Sequence, residues 1–132
     1  MTERDGEPRA DAPVVLIAED EEPIALALAM IIEDFGYAVV VATNGRDALA
    51  VARAKRPALI ITDLMMPLMG GAALIAALRA DAAQDGHQAP PVVLMSAAGR
   101  HYMDPVGADD ILPKPFEMRQ IEALLARYLP QP

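Results

Sequence analysis

Five short runs of aliphatic and β-branched residues recur along this chain: "VVLIA" at 14–18, "YAVVVAT" at 37–43, "ALIIT" at 58–62, "VVLMS" at 92–96 and, more weakly, "ADDILP" at 108–113. Their apolar residues run on without the strict in-out alternation of a half-exposed sheet, so both faces need cover. Helical stretches separate or follow them, at 23 to about 35, 46–54, 71–80 and 117–129. Apolar strands alternating with helices predict an α/β fold, a doubly wound five-stranded parallel sheet in a (βα)5 three-layer sandwich. In such sheets ligands gather outside the C-terminal strand ends, near the reversal of strand order.

Local signals place the elements. Pro23 suits a first helical turn and follows "EDEE", whose charge favours a helix N-terminus. Gly36 is a left-handed stop, Asn44-Gly45 a turn, Pro57 a breaker, and "DAAQDGHQAPP" at 81–91 reads as a loop. The segment "IALALAMII" at 24–32 is apolar all round, which predicts a solvent-facing apolar stripe on the first helix. Residues 1–12 read as a flexible tail ahead of a single domain at 13–132.

Composition removes several classes of function. The net charge is −8, and no Lys/Arg cluster exists to neutralise phosphates, so nucleic acid is not an expected partner. The chain has no cysteine, hence no disulfide and no thiolate metal site. Its longest wholly apolar run, Ile24 to Ile32, is too short to span a bilayer, and the charged N-terminal residues carry no secretory signal. A cytoplasmic protein is the expectation, with no membrane partner.

The rule of strand ends gathers the polar residues. Glu19 and Asp20 close the first strand, Asp63 the third and Ser96 the fourth, while Lys114 follows the fifth. Clustered carboxylates raise one another's pKa unless a cation compensates. With neither His nor Cys among them, the oxygen ligands point to Mg2+ rather than Zn2+. A carboxylate beside such an ion can attack phosphorus and form an acyl phosphate. Lys114 could neutralise one phosphoryl oxygen and Ser96 donate to another. Alone, Asp63 would be a turn former, Ser96 an ordinary strand-end serine and Lys114 a surface lysine. His87 and His101 sit in loops and read as bystanders.

These residues carry a resemblance. The acidic pair Glu19-Asp20, Asp63 with Pro67 and Gly71 four and eight positions on, Ser96-Ala97 and "KPF" at 114–116 are similar to the receiver domain of two-component response regulators. The likeness, to the CheY-like or flavodoxin-like fold, covers roughly residues 13–130. It implies that Asp63 is the phosphoacceptor for a histidine kinase or a histidine phosphotransfer protein. It implies a Mg2+ site made of Glu19, Asp20, Asp63 and the backbone carbonyl of Met65, with Mn2+ as a substitute ion. Asp20 matches the direct ligand and Glu19 the one acting largely through water. Lys114 resembles the lysine that salt-bridges the phosphoryl group, Ser96 the switch hydroxyl, and the Lys114-Pro115 bond would be cis. Such a protein catalyses only its own phosphorylation and dephosphorylation, and signals as a monomer or weak dimer through an unidentified protein partner.

Two features depart from the family pattern. Ile111 stands where an aromatic residue often turns inward, so the usual aromatic switch cannot operate in that form. Ser96 and Lys114 are eighteen positions apart, about four fewer than the family leads one to expect, roughly one helical turn. With Gly99, Pro105 and Gly107 in between, a shortened or irregular fourth helix is predicted. Only Pro130 to Pro132 follow the last helix, which suggests a stand-alone regulator. A phosphate sink or relay intermediate shares the same chemistry, and a non-switching pseudo-receiver scaffold is the third reading. A haloacid-dehalogenase-type phosphatase would want an aspartate where Met65 stands. Dinucleotide binding would want a Gly-rich turn after the first strand.

Overall fold

The computed structural model describes residues 12–97 and 107–130. The elements run β1 (Val14–Ala18), α1 (Glu22–Asp34), β2 (Ala38–Ala42), α2 (Gly45–Lys55), β3 (Leu59–Asp63), α3 (Gly71–Asp85), β4 (Val92–Ser96), β5 (Asp110–Pro113) and α4 (Met118–Tyr128). All five strands pair in parallel in the order β2-β1-β3-β4-β5. The order reverses at β1 and β3, which is where a doubly wound sheet opens its ligand crevice.

Alternate residues of each strand feed two cores. Val15, Ile17, Leu59, Ile61, Val93 and Met95 pack with Leu28 and Ile32 of α1 and Ile121 and Leu125 of α4. Leu16, Ala18, Ile60 and Val92 pack with Ala48 and Leu49 of α2 and Leu74, Ile75 and Leu78 of α3. This double burial explains the near-continuous apolar runs. No described helix is long and apolar enough to cross a membrane.

Punctuation signals hold where they were legible. Pro23 lies in the first turn of α1, and Gly36, at φ 101°, follows its end. The expected apolar stripe on α1 is present: Leu26 and Met30 are 53% and 64% exposed. Helix α3 continues through Asp85 instead of stopping at residue 80, and Gly86, at φ 75°, ends it. The polar "DAAQD" is held helical because Ala82 is buried and Asp81 takes a two-pronged ion pair from Arg53 of α2 at 2.8 and 3.1 Å. Strand β5 is also shorter than expected, starting at Asp110. Of the predicted tail, residues 1–12, all but Ala12 lie outside the described residues, and of the segment 97–110 predicted to hold a short fourth helix, residues 98–106 do.

Asp110 opens β5 almost buried and ties the strand to α4. Its Oδ1 accepts from the Ile111 N–H at 2.8 Å, while Oδ2 accepts from Tyr128 Oη at 3.1 Å and pairs with Arg127 Nη1. Burial pushes this carboxyl up, but the Ile111 N–H, the Tyr128 hydroxyl and the Arg127 charge together hold it below its ordinary value. A lowered carboxyl stabilises the fold above its unfolded pKa and loses that contribution as pH falls. Asp110→Asn is therefore expected to cost about 2 kcal/mol at neutral pH. In urea unfolding the gap to wild type should close below pH ~4; a gap independent of pH contradicts this.

Candidate functional site

Strand ends at one edge of the sheet bring the sequence-singled residues together. Ala18 pairs in register with both Ala42 and Thr62, Asp63 with Met95, and Ser96 with Pro113. Glu19 and Asp20 therefore leave β1 beside Asp63 at the end of β3, and Lys114 leaves β5 beside Ser96. The Glu19 N–H extends the ladder to the Ala42 carbonyl at 3.0 Å, and the Lys114 N–H reaches the Ser96 carbonyl at 3.2 Å. Ser96 itself is buried. Ile111, on β5 opposite Leu94, is half-buried.

One carboxylate oxygen from each of Glu19, Asp20 and Asp63 lies within 4.8 Å of the others. Lys114 Nζ donates to Glu19 Oε1 at 2.8 Å and stands 3.4 Å from Asp63 Oδ1. The other Glu19 oxygen accepts from the Glu21 N–H at 3.0 Å, and Asp63 Oδ1 accepts from the Leu64 N–H at 3.0 Å. Burial differs sharply across the cluster: the Glu19 side chain is 0% exposed, Asp63 17% and Lys114 20%, with Asp20 on the open side. The Lys114-Pro115 peptide is cis, as the family resemblance implies.

Electrostatics follow from that burial. Loss of water drives the Glu19 carboxyl up; the Lys114 hydrogen bond and the Glu21 N–H oppose the rise, and the Asp63 charge adds to it. Burial pushes Lys114 down, but the hydrogen bond to Glu19 and the charges of Asp63 and Glu19 outweigh it, so the ammonium is held above its usual range. Lys114 thus serves two of the three carboxylates, and the three converge closely enough to hold a metal ion.

The loop after Asp63 is tightly made. The Gly71 N–H bonds the Leu64 carbonyl at 2.8 Å and the Met69 N–H the Pro67 carbonyl at 2.8 Å. Leu68 adopts φ 70°, a left-handed conformation that costs a non-glycine roughly 1 kcal/mol. Met66 and Met69 pack against the core between α2 and α3, whereas the Met65 side chain is 76% exposed.

The Glu19–Lys114 ion pair was not legible beforehand. The resemblance assigns Lys114 to a phosphoryl group and Glu19 to a water-mediated role, and neither assignment signals direct contact. Its one sequence signal is position, a carboxylate immediately after an aliphatic strand that is buried from Val15 to Ala18. His87 lies at the opposite edge of the sheet, 3.7 Å from Asp85, where a cleft of about 650 Å3 opens between the ends of α2 and α3. It takes no part in the acidic cluster, and His101 falls outside the described residues.

Comparison with known proteins agrees with this architecture. The model of the response regulator receiver domain matches residues 15–126. The transcriptional regulatory protein PcoR of Escherichia coli is 37% identical over 114 residues, covering 83% of this chain and 48% of that protein. The alkaline phosphatase synthesis transcriptional regulatory protein PhoP of Bacillus subtilis is 32% identical over 114 residues, covering 83% and 45%. The chain thus spans about half the length of these curated relatives. The chemotaxis response regulator CheY4 of Vibrio cholerae superposes with a TM-score of 0.77 at 30% identity, over 89% of this chain and 99% of CheY4. The chain belongs to the response regulator receiver domain family.

Proposed function

We propose that Asp63 accepts a phosphoryl group from a histidine kinase or a histidine phosphotransfer protein in a Mg2+-dependent reaction, and that the phosphorylated chain signals by binding another protein. The observation that carries this reading is the convergence of three carboxylates within 4.8 Å, with Lys114 Nζ 3.4 Å from Asp63. An all-oxygen donor set suits a hard divalent ion, and Glu19, Asp20, Asp63 and the Met65 carbonyl would hold it. When bound, such an ion neutralises charge on the transferring phosphoryl oxygens.

The chain's own residues do the rest. Asp63 Oδ attacks phosphorus; the new O–P bond forms as the bond from phosphorus to the donor nitrogen breaks, and the donor keeps that electron pair. The Leu64 N–H steadies the attacking carboxylate. Lys114 leaves Glu19 for the incoming phosphoryl oxygen, and the Ser96 hydroxyl hydrogen-bonds another. Ile111 lacks a phenol, so the usual aromatic switch cannot operate in that form. The exposed Leu26 and Met30 on α1 offer an apolar stripe on which a donor's helices can dock.

Incubation with Mg2+ and acetyl phosphate is expected to add one phosphoryl mass to the intact protein. Asp63→Asn should show no increment, and EDTA should abolish it in wild type. An increment that survives in Asp63→Asn contradicts the assignment.

A further inference from the structure

Helix α2 begins at Gly45, and its first turn stands against the loop that follows Asp63. A Cβ built on Gly45 would lie 1.9 Å from the carbonyl oxygen of Met69, 2.6 Å from its carbonyl carbon and 2.7 Å from its Cβ. Two of those atoms are backbone, so no rotamer change relieves the clash. Gly45 is not among the positive-φ glycines. Space, not conformational freedom, therefore requires glycine here. In a helix that choice costs up to ~1 kcal/mol relative to alanine.

Neither wall can easily give way. The Asn44 side chain caps α2, accepting from the Asp47 N–H at 2.8 Å and donating to Asp47 Oδ2 at 3.0 Å. Across the loop, a Cβ on Gly71 would lie 2.4 Å from the Asp63 carbonyl oxygen. Residues 63–71 are thus gripped between the first turns of α2 and α3. Met69 is bonded back to Pro67 and its partly buried side chain packs against the core, so pushing it moves the turn as a body.

We infer that Gly45, outside the acidic cluster, is a positioning residue that sets the site's affinity for its divalent ion by fixing the loop that carries Met65. The inference rests on the metal-site reading above. A side chain at position 45 must drive Met69 back by on the order of an ångström or more. Mg2+ demands near-ideal octahedral geometry and tolerates such displacement poorly.

The test is Mg2+ titration by calorimetry on wild type, Gly45→Ala and Leu78→Ala, with the stability of each measured in urea. Leu78 is buried in the same core at the middle of α3, about two turns beyond Gly71, so its truncation lowers stability without touching the loop. The expected result is a Kd for Mg2+ raised at least ~10-fold in Gly45→Ala and unchanged in Leu78→Ala. Wild type that fails to bind Mg2+ overturns the metal-site reading itself. Wild type that binds, with Gly45→Ala equal to it or no weaker than Leu78→Ala, overturns the role of Gly45 alone. Should Gly45→Ala not fold, Asn44→Ala decides: loosening the cap should weaken Mg2+ binding by a few fold, and unchanged affinity overturns the inference.

Discussion

Replacing Lys114 with alanine is expected to cost about 3 kcal/mol of stability at neutral pH in EDTA, because it strands a buried carboxylate. Glu19 is 0% exposed, and its Oε1 has the Lys114 ammonium at 2.8 Å. Its carboxyl is already raised by burial with that ammonium present, and removing the ammonium raises it further. A raised carboxyl favours the folded state most where it is protonated and loses that advantage as pH rises through its folded value. The deficit of Lys114→Ala should therefore be largest near pH 7 and shrink toward pH ~5. Urea midpoints across that range check it, and a deficit that grows on acidification contradicts it. The same variant should accept phosphate from acetyl phosphate roughly 100-fold more slowly, the usual loss when a positioned donor to a developing negative charge is removed.

Asp20→Asn should separate metal binding from folding in the opposite sense. Asp20 is the exposed member of the carboxylate cluster, and no hydrogen bond or ion pair to the described residues is seen for its side chain. At the proposed metal site, removing its charge would take a ligand from the ion and a negative neighbour from Glu19 and Asp63. Mg2+ affinity should fall at least ~10-fold, about 1.4 kcal/mol. Stability in EDTA should stay level or rise by up to ~1 kcal/mol, the usual trade at a strained functional site. Paired calorimetric titration and urea unfolding measure both. A variant that loses stability in EDTA while keeping its Mg2+ affinity would show that Asp20 serves the fold instead of the ion.

Much of this was legible before any coordinates, for identifiable reasons. Strands buried on both faces leave unbroken aliphatic runs, so β1, β3 and β4 stand out at sight. The grouping of Glu19, Asp20, Asp63 and Lys114 is legible because a parallel sheet puts all its C-terminal strand ends on one edge, which turns residues spread over 95 positions into neighbours. What escaped was long-range and directional. The last turns of α3 look like loop by composition, and only the Arg53–Asp81 pair and the burial of Ala82 reveal why they stay helical. Asp110 reads as a polar residue at a strand start, with no sequence sign of Arg127 and Tyr128 reaching it from α4. Gly45 looks like half of a turn dipeptide, although it is the first helical residue and leaves room for the Met69 carbonyl. Each depends on a partner whose position the fold alone supplies.

Glu19, Asp20, Asp63 and Lys114 are proposed to form a single site for a divalent ion and a phosphoryl group. The most direct measurement is a crystal structure with Mg2+ and beryllofluoride, a phosphoryl mimic. The expected result is the ion on the three carboxylates, the mimic on Asp63 Oδ, and Lys114 Nζ turned from Glu19 to the mimic's fluorine. Metal or mimic bound elsewhere, with Lys114 still closed on Glu19, would contradict it.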